Sequence, residues 1–170
     1  MSSWVNATMG FTCAQELELR SVGAEDADQL SEFPCRRFKQ PWTDVVEELV
    51  RLQLGDALAA GNAKALGLWD GARLVAVAAW RMKASASGLV CSSILIAVRN
   101  DGASGKGCAT RLKDHLVDIA IDDGCVAVAS EVHRDNDAML RINEKLGAHM
   151  EWSTPDGSYL ACVVPLRRLL

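Results

Sequence analysis

Residues 88–109 constrain the fold more than any other stretch of the chain. Gly88 to Val98 is almost continuously apolar, running through Leu89-Val90-Cys91 and Ile94-Leu95-Ile96-Ala97-Val98. Its length suits a strand, and an unbroken apolar run predicts burial on both faces. A glycine-rich segment follows, Gly102-Ala103-Ser104-Gly105-Lys106-Gly107. The hydrophobic period then lengthens to that of a helix, with Leu112, Leu116 and Ile119 on one stripe between Gly107 and Asp122. Cys125 to Val132 reads as a second strand, and Asn136 to Leu146 as a second amphipathic helix ended by Gly147. Strands alternating with helices in this way imply locally parallel pairing.

The rest of the chain surrounds that unit. Leu17-Glu18-Leu19-Arg20 alternates as a short strand would, and Ala24-Glu25-Asp26-Ala27-Asp28 opens a helix with acids in its first turn. Pro34 and Pro41 mark breaks. Val45 to Ala60 carries Val46, Leu49, Val50 and Leu54 at helical spacing, ended by Gly61-Asn62. Ala65 to Trp69 and Arg73 to Met82 flank Asp70-Gly71, a hairpin signal. Ala148 to Trp152 and Ser158 to Val164 form a last hairpin around Pro155-Asp156-Gly157. The predicted order is β-α-α-β-β-β-α-β-α-β-β, an α/β domain with a central mixed sheet and helices on both faces. Residues 1–14 read as a loose leader and 15–170 as one domain, since 170 residues suit a single core.

Composition excludes several classes. No apolar run approaches the roughly 20 residues that span a bilayer, and Met1 to Gly10 lacks a secretory pattern. A soluble, cytoplasmic protein is expected. The net charge of −4 argues against wholesale nucleic-acid binding. Locally the balance inverts: Arg99, Lys106, Arg111 and Lys113 stand against Asp101 alone, a surplus of +3 that suits a small anion or a solvated helix face. None of the six cysteines forms a C-x-x-C pair, and Cys91, Cys125 and Cys162 lie in apolar runs. They read as reduced and buried, and no metal site is expected.

A buried strand running through a glycine-rich turn into a helix is an anion site. Glycines let backbone N–H groups approach the ligand, and the helix N-terminus adds its dipole. Two nucleotide motifs fail on detail. A Walker A loop needs Ser or Thr after Gly-Lys, but Gly107 follows Gly105-Lys106. A dinucleotide fingerprint needs a final glycine where Thr110 stands, on a strand that here lies in mid-chain.

The segment Ser104-Gly105-Lys106-Gly107-Cys108-Ala109 resembles the pyrophosphate loop of the GNAT superfamily of N-acyltransferases, Arg/Gln-x-x-Gly-x-Gly/Ala, matching at Gly107 and Ala109 with Ser104 in place of Arg or Gln. Asn136-Asp137-Ala138-Met139-Leu140-Arg141-Ile142-Asn143-Glu144-Lys145-Leu146-Gly147 is similar to a second motif of that family, in register at Asn136, Ile142, Glu144, Lys145 and Gly147. The resemblance covers about residues 16–165. It implies that two parallel strands splay and admit the pantetheine arm of coenzyme A. Backbone groups of Ile96, Ala97 and Val98 would line that arm, with the N–H of Val98 polarising the acyl carbonyl. Residues Ser104, Gly105, Lys106, Gly107, Cys108 and Ala109 would hold the pyrophosphate, and Asn136 would touch the pantetheine or cap its helix.

By the same resemblance the protein transfers an acetyl group from acetyl-CoA to a primary amine. Asn143 occupies the position where the family often has a tyrosine acid; it has no titratable proton but could hydrogen-bond the sulfur. An amine of pKa about 10.4 must lose a proton to attack, and Glu131 is the first candidate base, His133 the second. His115 reads as a core histidine, Trp69 and Trp80 as core, and Trp42 as either cleft or packing. The other class of reading is a GNAT-fold acyl-CoA sensor or partner-binding module without turnover, favoured by Ser104 and Asn143. The acceptor is open, and so is the oligomeric state, a homodimer included.

Overall fold

Seven strands hydrogen-bond into one sheet, in the order β1-β2-β3-β4-β5-β7-β6. The structure, a computed structural model, describes residues 13–31, 53–99 and 105–166. In chain order the elements are β1 (Glu18–Ser21), α1 (Ala27–Ser31), α2 (residues 53–59), β2 (Lys64–Asp70), β3 (Arg73–Ser85), β4 (Gly88–Val98), α3 (Cys108–Asp122), β5 (Ala127–His133), α4 (Asp137–Lys145), β6 (His149–Trp152) and β7 (Tyr159–Pro165). This is the order predicted from hydrophobic period and turn residues. Pro34, Pro41, Trp42 and the first part of the predicted helix 45–60 lie outside the described residues.

Every neighbouring pair in the sheet is antiparallel except β4 and β5, which are parallel because α3 carries the chain back across the sheet between them. One face is covered by α1 and α2: Leu30 and Leu54 pack with Trp69, Leu74, Val77 and Ala79. The other is covered by α3, whose Leu112 meets Leu68, Ala76 and Ala78 while Leu116 and Ala120 meet Cys91 and Val128. Burial of these apolar faces, at roughly 25 cal/mol per Å² removed from water, is what holds the layers together.

The strand buried on both faces is β3, not β4. All seven residues from Leu74 to Trp80 are buried, whereas in β4 only Cys91 is. Two features expose β4. Ala79 pairs with Leu95 but Trp80 pairs with Ser93, so Ile94 is an extra residue that bulges from the ladder and is 42% exposed. The far edge of β4 is also only partly paired with β5. Apolar composition alone does not distinguish a strand flanked on both edges from one that opens on one side.

Residues at the end of the expected loose leader are docked. Ala14 is buried, and its N–H donates to the carbonyl oxygen of Lys106 at 3.0 Å.

Candidate functional site

The site is built on an incomplete seam in the sheet. β4 and β5 pair over three positions only, Val90 with Ala127, Cys91 with Val128 and Ser92 with Ala129. Beyond Ser92 the strands part, while β5 stays paired with β7 over its full length to His133. Among the described residues the edge of β4 from Ser93 to Val98 therefore has no strand partner and faces a gap. The N–H of Arg99 donates to the Val75 carbonyl, so Arg99 points its backbone at β3. Strand alternation then aims the backbone groups of Ala97 at β3 and those of Ile96 and Val98 into the gap. Their side chains pack toward α3, and that of Ala97 toward α2. An unpaired strand edge inside a sheet is a row of donors and acceptors waiting for a partner.

At the open end of the seam lies the N-terminus of α3. Gly105 and Gly107 have φ of 76° and 85°, a conformation glycine adopts without strain, and a Cβ built on either would meet nothing within 4 Å. Among the described residues no side chain caps the helix. The first-turn N–H groups from Cys108 onward have no intrahelical acceptor, and a helix N-terminus of this kind favours an anion. The anchor beneath is firm: Cys108 and Leu112 are buried, and Arg111 donates to the carbonyl oxygens of Ala14 and, at 2.8 Å, Leu17. Ser104 lies outside the described residues.

The local charge of +3 does not form a solvated basic patch. Arg99 is buried with Nε on the Leu74 carbonyl at 2.6 Å, Arg111 is engaged by the two carbonyls above, and Lys113 is fully buried. These three cations are turned inward, and of the four only Lys106, in the glycine turn itself, is half-exposed.

Other candidates lie around the seam. Asn136 is the N-cap of α4, its Oδ1 accepting from Met139 N–H at 3.2 Å. Asn143 is wholly buried on α4; its Nδ2 donates to the Met139 carbonyl at 3.0 Å and its Oδ1 has no partner. Glu131 lies on β5 beyond the last rung with β4, is exposed, and pairs with no cation among the described residues. His133 ends the same strand, edge-on to Tyr159 at 5.1 Å between ring centroids. Its Nδ1 accepts the N–H of Asp135 at 3.2 Å, which in the neutral ring places the proton on Nε2. That ring then offers Nε2 as a donor, which disfavours it as a base. His115 is half-buried on α3, and Trp69 and Trp80 are core residues. Among the described residues no cluster of three metal-ligating side chains occurs, and no helix is long and apolar enough to cross a membrane.

No family model and no curated protein matches the sequence. Solved structures match nearly all of it. The PaiA N-acetyltransferase of Thermoplasma acidophilum, in complex with coenzyme A, aligns with a TM-score of 0.71 at 15% identity, over 88% of this chain and 99% of that one. The yncA protein of Salmonella typhimurium, solved with acetyl-CoA, aligns with a TM-score of 0.70 at 17% identity, over 91% and 96%. An acetyltransferase of the GNAT family from Streptococcus pneumoniae aligns with a TM-score of 0.62 at 14% identity, over 86% and 96%. The chain has the GNAT fold.

Beneath this GNAT sheet, on α3, one buried polar residue escaped sequence reasoning. Lys113 counts as a surface cation by composition, yet it is fully buried and its Nζ has no hydrogen-bond partner. Burial lowers its pKa, and its electrostatic neighbours are the thiols of Cys162 and Cys91. Burial raises both thiols, Cys91 to about 12, so neither carries a compensating charge. A helical projection holds the signal: position 113 sits beside Leu112 and Leu116 on the apolar stripe, where a lysine cannot reach solvent.

Proposed function

We propose that the protein is an acyl-CoA-dependent N-acetyltransferase that moves an acetyl group from acetyl-CoA to a primary amine by direct attack in a ternary complex. The observation that carries this reading is the seam: unpaired backbone groups of Ile96 and Val98 face a gap that leads to the uncapped N-terminus of α3. A ligand with an extended, amide-bearing arm and a phosphate-rich end matches both halves. Solved proteins of the same fold that contain coenzyme A or acetyl-CoA support the choice.

The loop amides from Gly105 to Ala109 hold the pyrophosphate, with Ser104 at its edge. The edge of β4 at 96–98 pairs with the pantetheine amides, and the free Nδ2 of Asn136 is available to the same arm. The N–H of Val98 stabilises negative charge that develops on the acyl oxygen, a role typically worth about 10²–10³ in rate. Glu131 takes the amine proton, since its carboxylate is uncommitted. Five described cysteines are free, which suits a reducing compartment, and we place the protein in the cytoplasm. The second reading, an acyl-CoA sensor of the GNAT fold without turnover, draws on Asn143, which has no proton to give a leaving thiolate.

Calorimetry with coenzyme A, followed by thiol release from acetyl-CoA over a panel of amines, separates the two. Binding with turnover supports the transferase, binding without turnover supports the sensor, and no binding removes both. Gly107→Ala carries only the strain of the left-handed backbone, whereas Gly107→Glu adds a carboxylate at the pyrophosphate. Glu should weaken binding at least tenfold more than Ala; equal losses would remove the loop assignment.

A further inference from the structure

The buried face beneath α3 contains polar atoms that the proposed mechanism leaves unused. Besides Lys113 Nζ, the side chains of Trp80 (Nε1), Ser130 (Oγ) and Asn143 (Oδ1) are buried without a hydrogen-bond partner. Protein interiors rarely leave such groups orphaned. Their placement is not random. Val128 packs with Leu116 and Ala120 of α3, so Ser130, two residues on, shares that face of β5. Ser130 pairs with Cys162 of β7, and Cys91 lies on β4 one residue before the last rung with β5. Lys113 is buried on α3 one turn before Leu116, which packs against Cys91 and Val128, and its charge is felt by Cys91 and by Cys162, the partners of Val128 and Ser130 on β5. Trp80 belongs to the same cluster as Cys91 and Leu116 and pairs with Ser93, the first β4 residue past the junction. Asn143 adds an acceptor from α4, which packs on both α3 and β7.

Three of the four groups can donate, and one is an ammonium with no counter-charge among the described residues. Such a set of donors is matched to an anion that arises at the apex of the seam. We propose that Lys113 is the proton donor to the leaving thiolate, with Ser130 and Trp80 completing a donor pocket where β4 and β5 separate. The inference rests on the acetyltransferase reading above. In the step, the C–N bond to the amine forms and the C–S bond breaks. The electron pair stays on sulfur, which takes a proton from Lys113 Nζ and leaves as the thiol. The amine proton goes to Glu131, and solvent restores both side chains. The titratable groups facing Lys113 are Cys91 and Cys162, both held as neutral thiols, and no carboxylate among the described residues pairs with it. Its own lowered pKa brings it nearer to that of a thiol, which favours transfer.

The test is the ionisation of coenzyme A bound to the protein, which needs no turnover. Thiolate absorbance of the complex is followed against pH, with desulfo-coenzyme A as the blank that cancels the protein's own cysteines. A free thiol titrates near pH 8.5. In the wild type the bound thiol should titrate at least one pH unit lower, and in Lys113→Met it should return to the free value or above. Both proteins should bind desulfo-coenzyme A equally. An unshifted thiol in the wild type overturns the proposal whether or not the variant folds, and so does an equal shift in both proteins. Failure of coenzyme A to bind at all overturns the acetyltransferase reading together with this one; binding without a shift overturns this one alone.

Discussion

Lys113 is a fully buried lysine whose Nζ has no hydrogen-bond partner among the described residues. A buried polar group without a partner typically costs about 1–3 kcal/mol, and a charged one more. Methionine has a similar length and no polar hydrogen, so Lys113→Met should stabilise the protein by about 1–3 kcal/mol at neutral pH, measured by urea denaturation. The pH dependence has a definite sign. The folded-state pKa of Lys113 lies below its ordinary 10.5, so the unfolded chain binds the extra proton between the two values and wild-type stability rises with pH there. The variant lacks that slope, so its advantage should shrink as the pH approaches 10.5. At Glu131 the expectation concerns rate. Glu131→Gln should lower kcat by about 10²–10⁴ with coenzyme A affinity unchanged, and the loss should narrow at high pH, where more amine is already neutral. A variant with intact kcat would leave Glu131 as an ordinary surface residue. Asn143 makes the contrasting case. It has nothing to titrate, so Asn143→Ala should reduce turnover by less than about a thousandfold and leave every limb of the pH–rate profile in place.

Among the elements, β4 holds the most information and was read least completely. Its ends, Gly88 and Val98, were legible because the apolar run starts at a turn glycine and stops at Arg99. Its environment was not. The bulge at Ile94 and the parting from β5 at Ser92 depend on which strands become neighbours, and that is settled by packing across the sheet rather than by the run itself. The glycine turn before α3 was legible because backbone conformation is local and Gly105 and Gly107 take the left-handed region. The surrounding charge was not, since direction decides whether Arg99, Arg111 and Lys113 face ligand or core. Strand alternation makes a further prediction for hydrogen exchange without ligand. The amides of Ile96 and Val98 should exchange fast, and those of Ala97 and Arg99, committed to β3, slowly. Saturating coenzyme A should slow Ile96 and Val98 selectively. Equal protection of all four before ligand is added would mean that the seam is closed.

For the molecule as a whole, the order of the eleven helices and strands among the described residues followed from periodicity and turns, because each is a local property. The pairing that makes a site of them is non-local. The seam joins β4 to β5 across a helix, and the loop at 105–109 is braced by residues 14 and 17. Coenzyme A bound across that junction should stabilise the entire domain rather than one element, by about 2.7 kcal/mol at a hundredfold excess over its Kd. Thermal denaturation at graded ligand concentrations measures this, and a midpoint that stays constant as ligand is added would show that nothing binds the native state.

The bond from Ala14 N–H to the Lys106 carbonyl joins residues 92 positions apart in the chain. A loop that large closes late, because local contacts form before distant ones are rewarded. Helix α3 can wind up early, yet its first turn meets its brace only when the opposite end of the described chain comes home. During refolding, competence to bind an anion should therefore lag behind helicity. Shortening the chain past Ala14 should register first as lost ligand affinity, while most of the sheet still stands.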